Sequence, residues 1–156
     1  MAHRRPLTPG EIALARSMFG DAIDYARAAI AHRRWAFFQP ANVTMAPLGT
    51  ICFHPRGGLY RDDFADAPID LQGLFIHELV HVWQHQQGIF LPLRRHPFCR
   101  YRYSLVPGRP FRRYGLEQQA EIVRHAFLLR RGRNAPGAPA LADLEQLLAS
   151  AFTPDP

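Results

Sequence analysis

The pentapeptide His77-Glu78-Leu79-Val80-His81 constrains this 156-residue chain more than any other segment. It lies within Leu71 to Trp83, a stretch apolar on nearly every side, which predicts a helix buried all round. Asp70 is placed to cap the start of that helix and Gly88 to close its end. Residues four apart share a helix face, so His77 and His81 can grip one metal ion. Glu78 lies near that face and can reach a water on the metal. Polar and charged groups in so apolar a helix need partners. The H-E-x-x-H spacing meets that need with zinc, and hydrolysis is the chemistry it serves. The competing reading is a buried helix whose two histidines are satisfied by hydrogen bonds.

The length suits one domain over residues 1–156, with 1–7 and 153–156 expected as loose ends. Hydrophobic residues make up 47% of the chain, enough for a substantial core. No apolar run reaches the roughly 20 residues of a membrane span. The basic start, Met1 to Pro6, leads into a helix-capping sequence and not an apolar signal core. That predicts a cytoplasmic protein, with a non-classical export route left open. Cys52 and Cys99 have no metal-type spacing and read as two small, partly buried thiols.

The net charge is +6, and all 19 basic residues are arginine. Seven of them (Arg94, Arg95, Arg100, Arg102, Arg109, Arg112 and Arg113) cluster with Tyr101, Tyr103 and Tyr114. Such a segment can bind nucleic acid, acidic peptides or an anionic partner surface; the plainer reading is a solvated loop with local ion pairs.

Thr8-Pro9-Gly10-Glu11 reads as a capping box opening a helix that stops near Gly20. Tyr25 to Ile30 is ambiguous between helix and strand, with its alanines favouring helix. Asn42 to Ala46 and Thr50 to His54 are β-like runs around a Pro47-Leu48-Gly49 turn, which predicts a hairpin. Beyond Gly88 comes an irregular connection in which Cys99 to Val106 is a candidate strand. A second strong helix follows from Gly115 to Arg131, and a short amphipathic one from Leu141 to Phe152. The expected fold is α+β: a central H-E-x-x-H helix packed on a second, glutamate-bearing helix and a small sheet.

A catalytic zinc takes three protein ligands and keeps a fourth position open. His85 lies one turn beyond His81, too far along the helix to close on the same ion. The second helix supplies two carboxylates, Glu117 and Glu121, four apart and on one face. Here the chain resembles the gluzincin metallopeptidases, minigluzincins among them. These carry H-E-x-x-H on one helix and a glutamate ligand on the next, with a small residue three positions later and an acidic or amide residue four later. Glu117, Ala120 and Glu121 match those places. The resemblance implies a zincin-like fold, Glu117 as third zinc ligand, and Glu121 as a group orienting a ligand histidine. The whole chain also resembles small proteobacterial proteins called Vgr-related. The phrases Pro6-Leu7-Thr8-Pro9-Gly10-Glu11, Phe53-His54-Pro55-Arg56-Gly57-Gly58 and Gln72-Gly73-Leu74-Phe75-Ile76-His77-Glu78 carry that likeness. It implies a link to type VI secretion.

The leading expectation is a zinc-dependent peptidase in which Glu78 is the general base. Tyr103, Tyr101, Tyr114 and His125 are candidates for stabilising the oxyanion, with Tyr103 and His125 put first. The hairpin offers an edge to which a peptide substrate can add as a strand. Two alternatives stand beside it. One is a non-catalytic or latent binding protein of the same fold, associated with a secretion system. The other is a peptidase acting on nucleic-acid-bound proteins, which the charge permits and no DNA-binding motif supports.

Overall fold

A computed structural model describes residues 3–36, 39–91 and 100–153. Among these residues, three short strands form one sheet in the order β1-β2-β3: β1 His3–Pro6, β2 Ala29–His32 and β3 Thr50–Cys52. β1 runs antiparallel to β2, with Arg4 opposite Ala31; β3 runs parallel to β2, with Ile51 opposite Ile30. Four α-helices lie among the described residues: α1 Pro9–Phe19, α2 Ile69–Gln86, α3 Leu116–Arg130 and α4 Leu141–Ala149. The architecture is α+β, as expected. No helix among the described residues is long and apolar enough to cross a membrane.

Helix α1 begins as its sequence dictates. Thr8 Oγ1 accepts from the Glu11 N–H at 3.0 Å, and the Glu11 carboxylate accepts from the Thr8 N–H at 2.9 Å. Gly20, at φ 54°, ends the helix. Glu11 does more than cap. It is fully buried, takes a two-pronged ion pair from Arg5 at 2.9 Å on each arm, and accepts from the Phe64 N–H at 2.9 Å. Arg5 also donates to the Tyr60 hydroxyl and the Arg61 carbonyl. Of the start expected to be loose over 1–7, His3–Pro6 forms β1, which this pin fixes to α1 and to the loop before α2; residues 1 and 2 lie outside the described residues. Glu11→Ala takes the carboxylate from a half-buried guanidinium whose side chain is 12% exposed, and should cost about 3 kcal/mol in urea unfolding. A loss under about 1 kcal/mol would show that the pair carries little of the fold.

The C-terminal side is likewise anchored. Thr153 bridges Gly20, and Phe152 packs edge-on against Phe19, Trp83 and Phe111 at 5.1–5.5 Å between ring centroids. Residues 154–156 of the expected loose end lie outside the described residues.

Other expectations change too. Tyr25 to Ile30 is not an α-helix: Tyr25–Arg27 makes one 3-10 turn, and β2 follows. Burial overrides propensity here, because Ala28 to Ala31 are nearly solvent-free and their small side chains fit the covered sheet. The predicted hairpin contracts to a single antiparallel bridge, Met45 with Cys52. The Cys52 backbone exchanges both hydrogen bonds with Met45, and its carbonyl also accepts from the Gln39 side chain. The edge offered for a peptide is therefore occupied at that point. Arg100 to Val106 forms no strand, and Cys99 lies outside the described residues. The Pro68 position, not Asp70, precedes α2; Asp70 sits in the first turn, where its charge still faces the positive helix end. Gly88 does close α2: at φ 87° it donates to the His85 carbonyl, while the Ile89 N–H reaches the Gln84 carbonyl.

Helix α2 packs along α3 and against β3. Gly73 faces α3 across this seam, with a Leu128 methyl 3.4 Å from where a Cβ would stand, an ordinary packing distance. A stack of Phe53, Phe64 and Phe75, with centroids 5.0 and 5.4 Å apart, ties the end of β3 to α2.

Candidate metal centre

From Phe75 to Gln84, α2 is buried without a break. That places His77, Glu78 and His81 inside the molecule, at 7%, 4% and 4% exposure. Helix α3 meets them with Glu117, at 2% exposure. His81 Nε2 lies 2.9 Å from Glu117 Oε1, and His77 Nε2 lies 3.3 Å from Glu117 Oε2. One ligand atom from each of the three residues falls within 4.8 Å of the other two. The two rings stand edge to face, 5.2 Å apart. The structure thus brings together His77, His81 and Glu117, joining residues about 40 positions apart in the sequence.

Does this set fit a metal? His81 Nε2 comes within 2.9 Å of a carboxylate oxygen yet makes no aligned hydrogen bond, although it is buried. Atoms that converge on a common point, instead of on one another, produce that combination. Two imidazoles and a carboxylate are also a donor set that zinc takes. The residues present fit the ion.

The charges follow the same geometry. Burial opposes ionisation of Glu117, but its contacts with His77 and His81 prevail and hold the carboxyl well below its usual range. Burial likewise opposes a charged His81, and the Glu117 carboxylate outweighs it, raising the imidazole above its ordinary value. These shifts have opposite pH signatures. The Glu117 contribution to stability is present above its ordinary value of 4.5 and lost as pH falls through its depressed value. The His81 contribution is present below 6.5 and lost as pH rises through its raised value. Chelator-stripped protein should therefore melt highest between these limits and progressively lower as pH rises through the raised His81 value. Zinc-loaded protein should not show that decline, because zinc takes the neutral imidazole. Melting curves of both forms across the pH range check this.

The flanking residues form a line along α3. Glu121 Oε2 is 3.9 Å from His77 Nδ1 and 3.8 Å from His125 Nε2, while its close contact, 3.0 Å, is with Arg124. Its reach to the ligand histidine is thus longer than a hydrogen bond. Tyr103 and His125 share a 2.7 Å hydrogen bond between the phenol and Nδ1. Burial, with Glu121 nearby, raises the Tyr103 phenol, and burial lowers His125. Tyr101 is exposed and stacks on the His77 ring at 6.2 Å. The Tyr114 hydroxyl is taken by the Val106 N–H, so Tyr114 serves packing.

Of the arginine-tyrosine segment, Arg94 and Arg95 lie outside the described residues. Arg100, Arg102, Arg109, Arg112 and Arg113 are exposed. Arg109 lies over the Tyr114 ring and Arg112 over Trp83. Arg100 and Arg112 also line a cleft that reaches Glu117. The sequence reading overlooked Gln84 and Gln119, both buried beside the centre. An amide three residues after His81, at the end of the apolar stretch, was the available signal.

Fold and site together define an α+β domain with a buried His-His-Glu group able to hold a metal ion. No family model matches the chain. Over 134 residues, 80% of its length, it is 40% identical to the type VI secretion system spike protein VgrG2b of Pseudomonas aeruginosa. It spans 13% of that protein. The solved effector domain of Pseudomonas aeruginosa VgrG2b aligns with a TM-score of 0.79 and 35% identity, covering 96% of this chain and 84% of that one. The chain belongs to the family of VgrG2b effector domains. This likeness bears out the Vgr-related resemblance, and it speaks more directly for a secretion-associated protein than for a peptidase.

Proposed function

We propose that this chain is a secretion-associated effector domain whose zinc centre hydrolyses peptide bonds, a zincin of gluzincin type. The observation that carries the reading is the buried convergence of His77, His81 and Glu117, with Glu78 in the same turn of α2. Bound zinc would supply Lewis acidity, polarising a carbonyl and acidifying a water. His77, His81 and Glu117 would hold the ion, and Glu117 enters the site already ionised. Glu78 is the proton carrier: it accepts one from the attacking water and returns it to the leaving amine. Burial keeps competing solvent from that carboxylate. Tyr103 and His125, coupled on the Glu121 side, and Tyr101, stacked on the His77 ring, are the candidates for steadying the developing oxyanion. The substrate is a peptide or protein, and exposed Arg100 and Arg112 beside Glu117 suit one with acidic residues near the scissile bond.

A second reading is supported by the names of the relatives: a domain of a secretion apparatus that binds through this fold without turnover. The retained Glu78 argues against it, since a purely structural site needs no base. Action on nucleic-acid-bound proteins rests on net charge alone. The test is zinc analysis of the purified chain combined with a broad peptide-cleavage screen that includes acidic peptides. About one zinc per chain and chelator-sensitive cleavage are expected. Stoichiometric zinc with no cleavage anywhere in the screen favours the second reading, and no zinc uptake removes both metal-based readings.

A further inference from the structure

The zinc-facing atom of His81 is set from behind by side-chain amides. The His81 ring nitrogen Nδ1 lies 2.8 Å from Gln84 Oε1. Gln84 Nε2 in turn lies 3.0 Å from the Leu116 carbonyl and 2.9 Å from Gln119 Oε1. Gln119 Nε2 lies 2.9 Å from the Tyr114 carbonyl. Gln84 is fully buried, and Gln119 is 3% exposed.

Each direction in this chain is forced. A backbone carbonyl can only accept, so the Gln119 nitrogen must face Tyr114 and its oxygen must face Gln84. The Leu116 carbonyl and that oxygen both accept, so Gln84 must turn its nitrogen to them and its oxygen to His81. An amide oxygen also only accepts. His81 Nδ1 therefore carries the proton, and a neutral His81 leaves its lone pair on Nε2, the atom aimed at Glu117. Were Gln84 turned over, its N–H would require a lone pair on Nδ1. The proton would then sit on Nε2 and block metal ligation there.

We infer that Gln84 and Gln119 form an amide relay that locks His81 in its metal-binding tautomer, making both positioning residues for the metal centre. The inference rests on the zinc-centre reading. It also explains why two uncharged amides are buried at the junction of α2 and α3, where apolar side chains would pack without needing partners. The relay runs from α3 to α2. The backbone at Tyr114 and Leu116, at the entrance to α3, thereby governs a ligand on the other helix.

The test uses the full chain, stripped and then titrated with zinc against a competing chromophoric chelator. Gln84→Met keeps the volume but removes the acceptor, and should weaken zinc binding by about 10- to 100-fold. Gln119→Met should give a smaller loss, because the Leu116 carbonyl still orients Gln84. This second variant keeps the test alive if Gln84→Met fails to fold. Nuclear magnetic resonance of the zinc-loaded protein supplies a readout that packing alone would not move. In the wild type, His81 should show a protonated Nδ1 whose hydrogen exchanges slowly with water; in Gln119→Met that exchange should speed up. Wild-type-like zinc affinity in the variants overturns the relay, as does a proton on His81 Nε2 in the loaded wild type. A wild-type chain that takes up no zinc overturns the metal-centre reading and the relay with it. Tight wild-type binding with indifferent variants overturns the relay alone.

Discussion

Exchanging Glu78 for Gln is expected to abolish peptide hydrolysis while leaving zinc content and melting temperature close to wild type. The amide has the shape of the carboxylate but cannot take a proton from water. General-base catalysis of this kind contributes about 10²- to 10⁴-fold, so the residual rate should fall at least that far. Glu78 is 4% exposed, and its replacement removes a buried negative charge near His81 without opening a cavity. The His77, His81 and Glu117 ligand set is untouched. Kinetics on the best substrate from the cleavage screen, with zinc analysis on the same preparation, decides the matter. Loss of zinc in step with activity would make Glu78 part of the metal-holding set and would leave the base unassigned.

Replacing His81 by Ala should do the opposite: remove the metal and weaken the fold together. One ligand of three is lost, Gln84 loses the ring it faces, and a space opens in the unbroken buried face of α2. Glu117 also loses its nearer histidine, which lies at 2.9 Å. A buried carboxylate held ionised by its contacts then has one contact fewer, and burial drives its pKa back up. Truncating a partner of a buried charge typically costs about 3–5 kcal/mol. The variant should bind zinc at least about 100-fold more weakly and melt well below the metal-free wild type. If it melts like metal-free wild type, the histidine contributes to the fold only through the ion.

His77, Glu78 and His81 could be read directly, because helical geometry fixes the relation of residues four apart. Glu117 was not legible from spacing alone, since α2 and α3 are separate in sequence and either of two carboxylates on α3 could face inward. Packing of α3 along α2 buries Glu117 and leaves Glu121 turned towards Arg124. The same distinction holds for the fold. The α1 capping box and the glycine end of α2 depend on a few adjacent residues, and both form as read. Strand β2 does not follow local preference, because its alanines answer to the elements that cover them. The partner of Arg5 lies six residues on, but the reason for their pairing, a shared buried seam with Tyr60 and Phe64, lies more than fifty residues away. Gln84 and Gln119 do not stand out for a similar reason: an amide's worth depends on what it faces.

The pin between Arg5 and Glu11 also has a mechanical meaning. β1 is an edge strand of the sheet, so a load applied ahead of His3 would peel it from β2 one pair at a time, beginning at His3 and His32. The peel meets Arg5 at the third pair, where the guanidinium is held by Glu11, Tyr60 and the Arg61 carbonyl. Tension would pass there into α1 and into the loop before α2, and would not continue along the sheet. Traction on this end of the chain would then be absorbed at a buried ion pair before it reached the helix that carries His77 and His81.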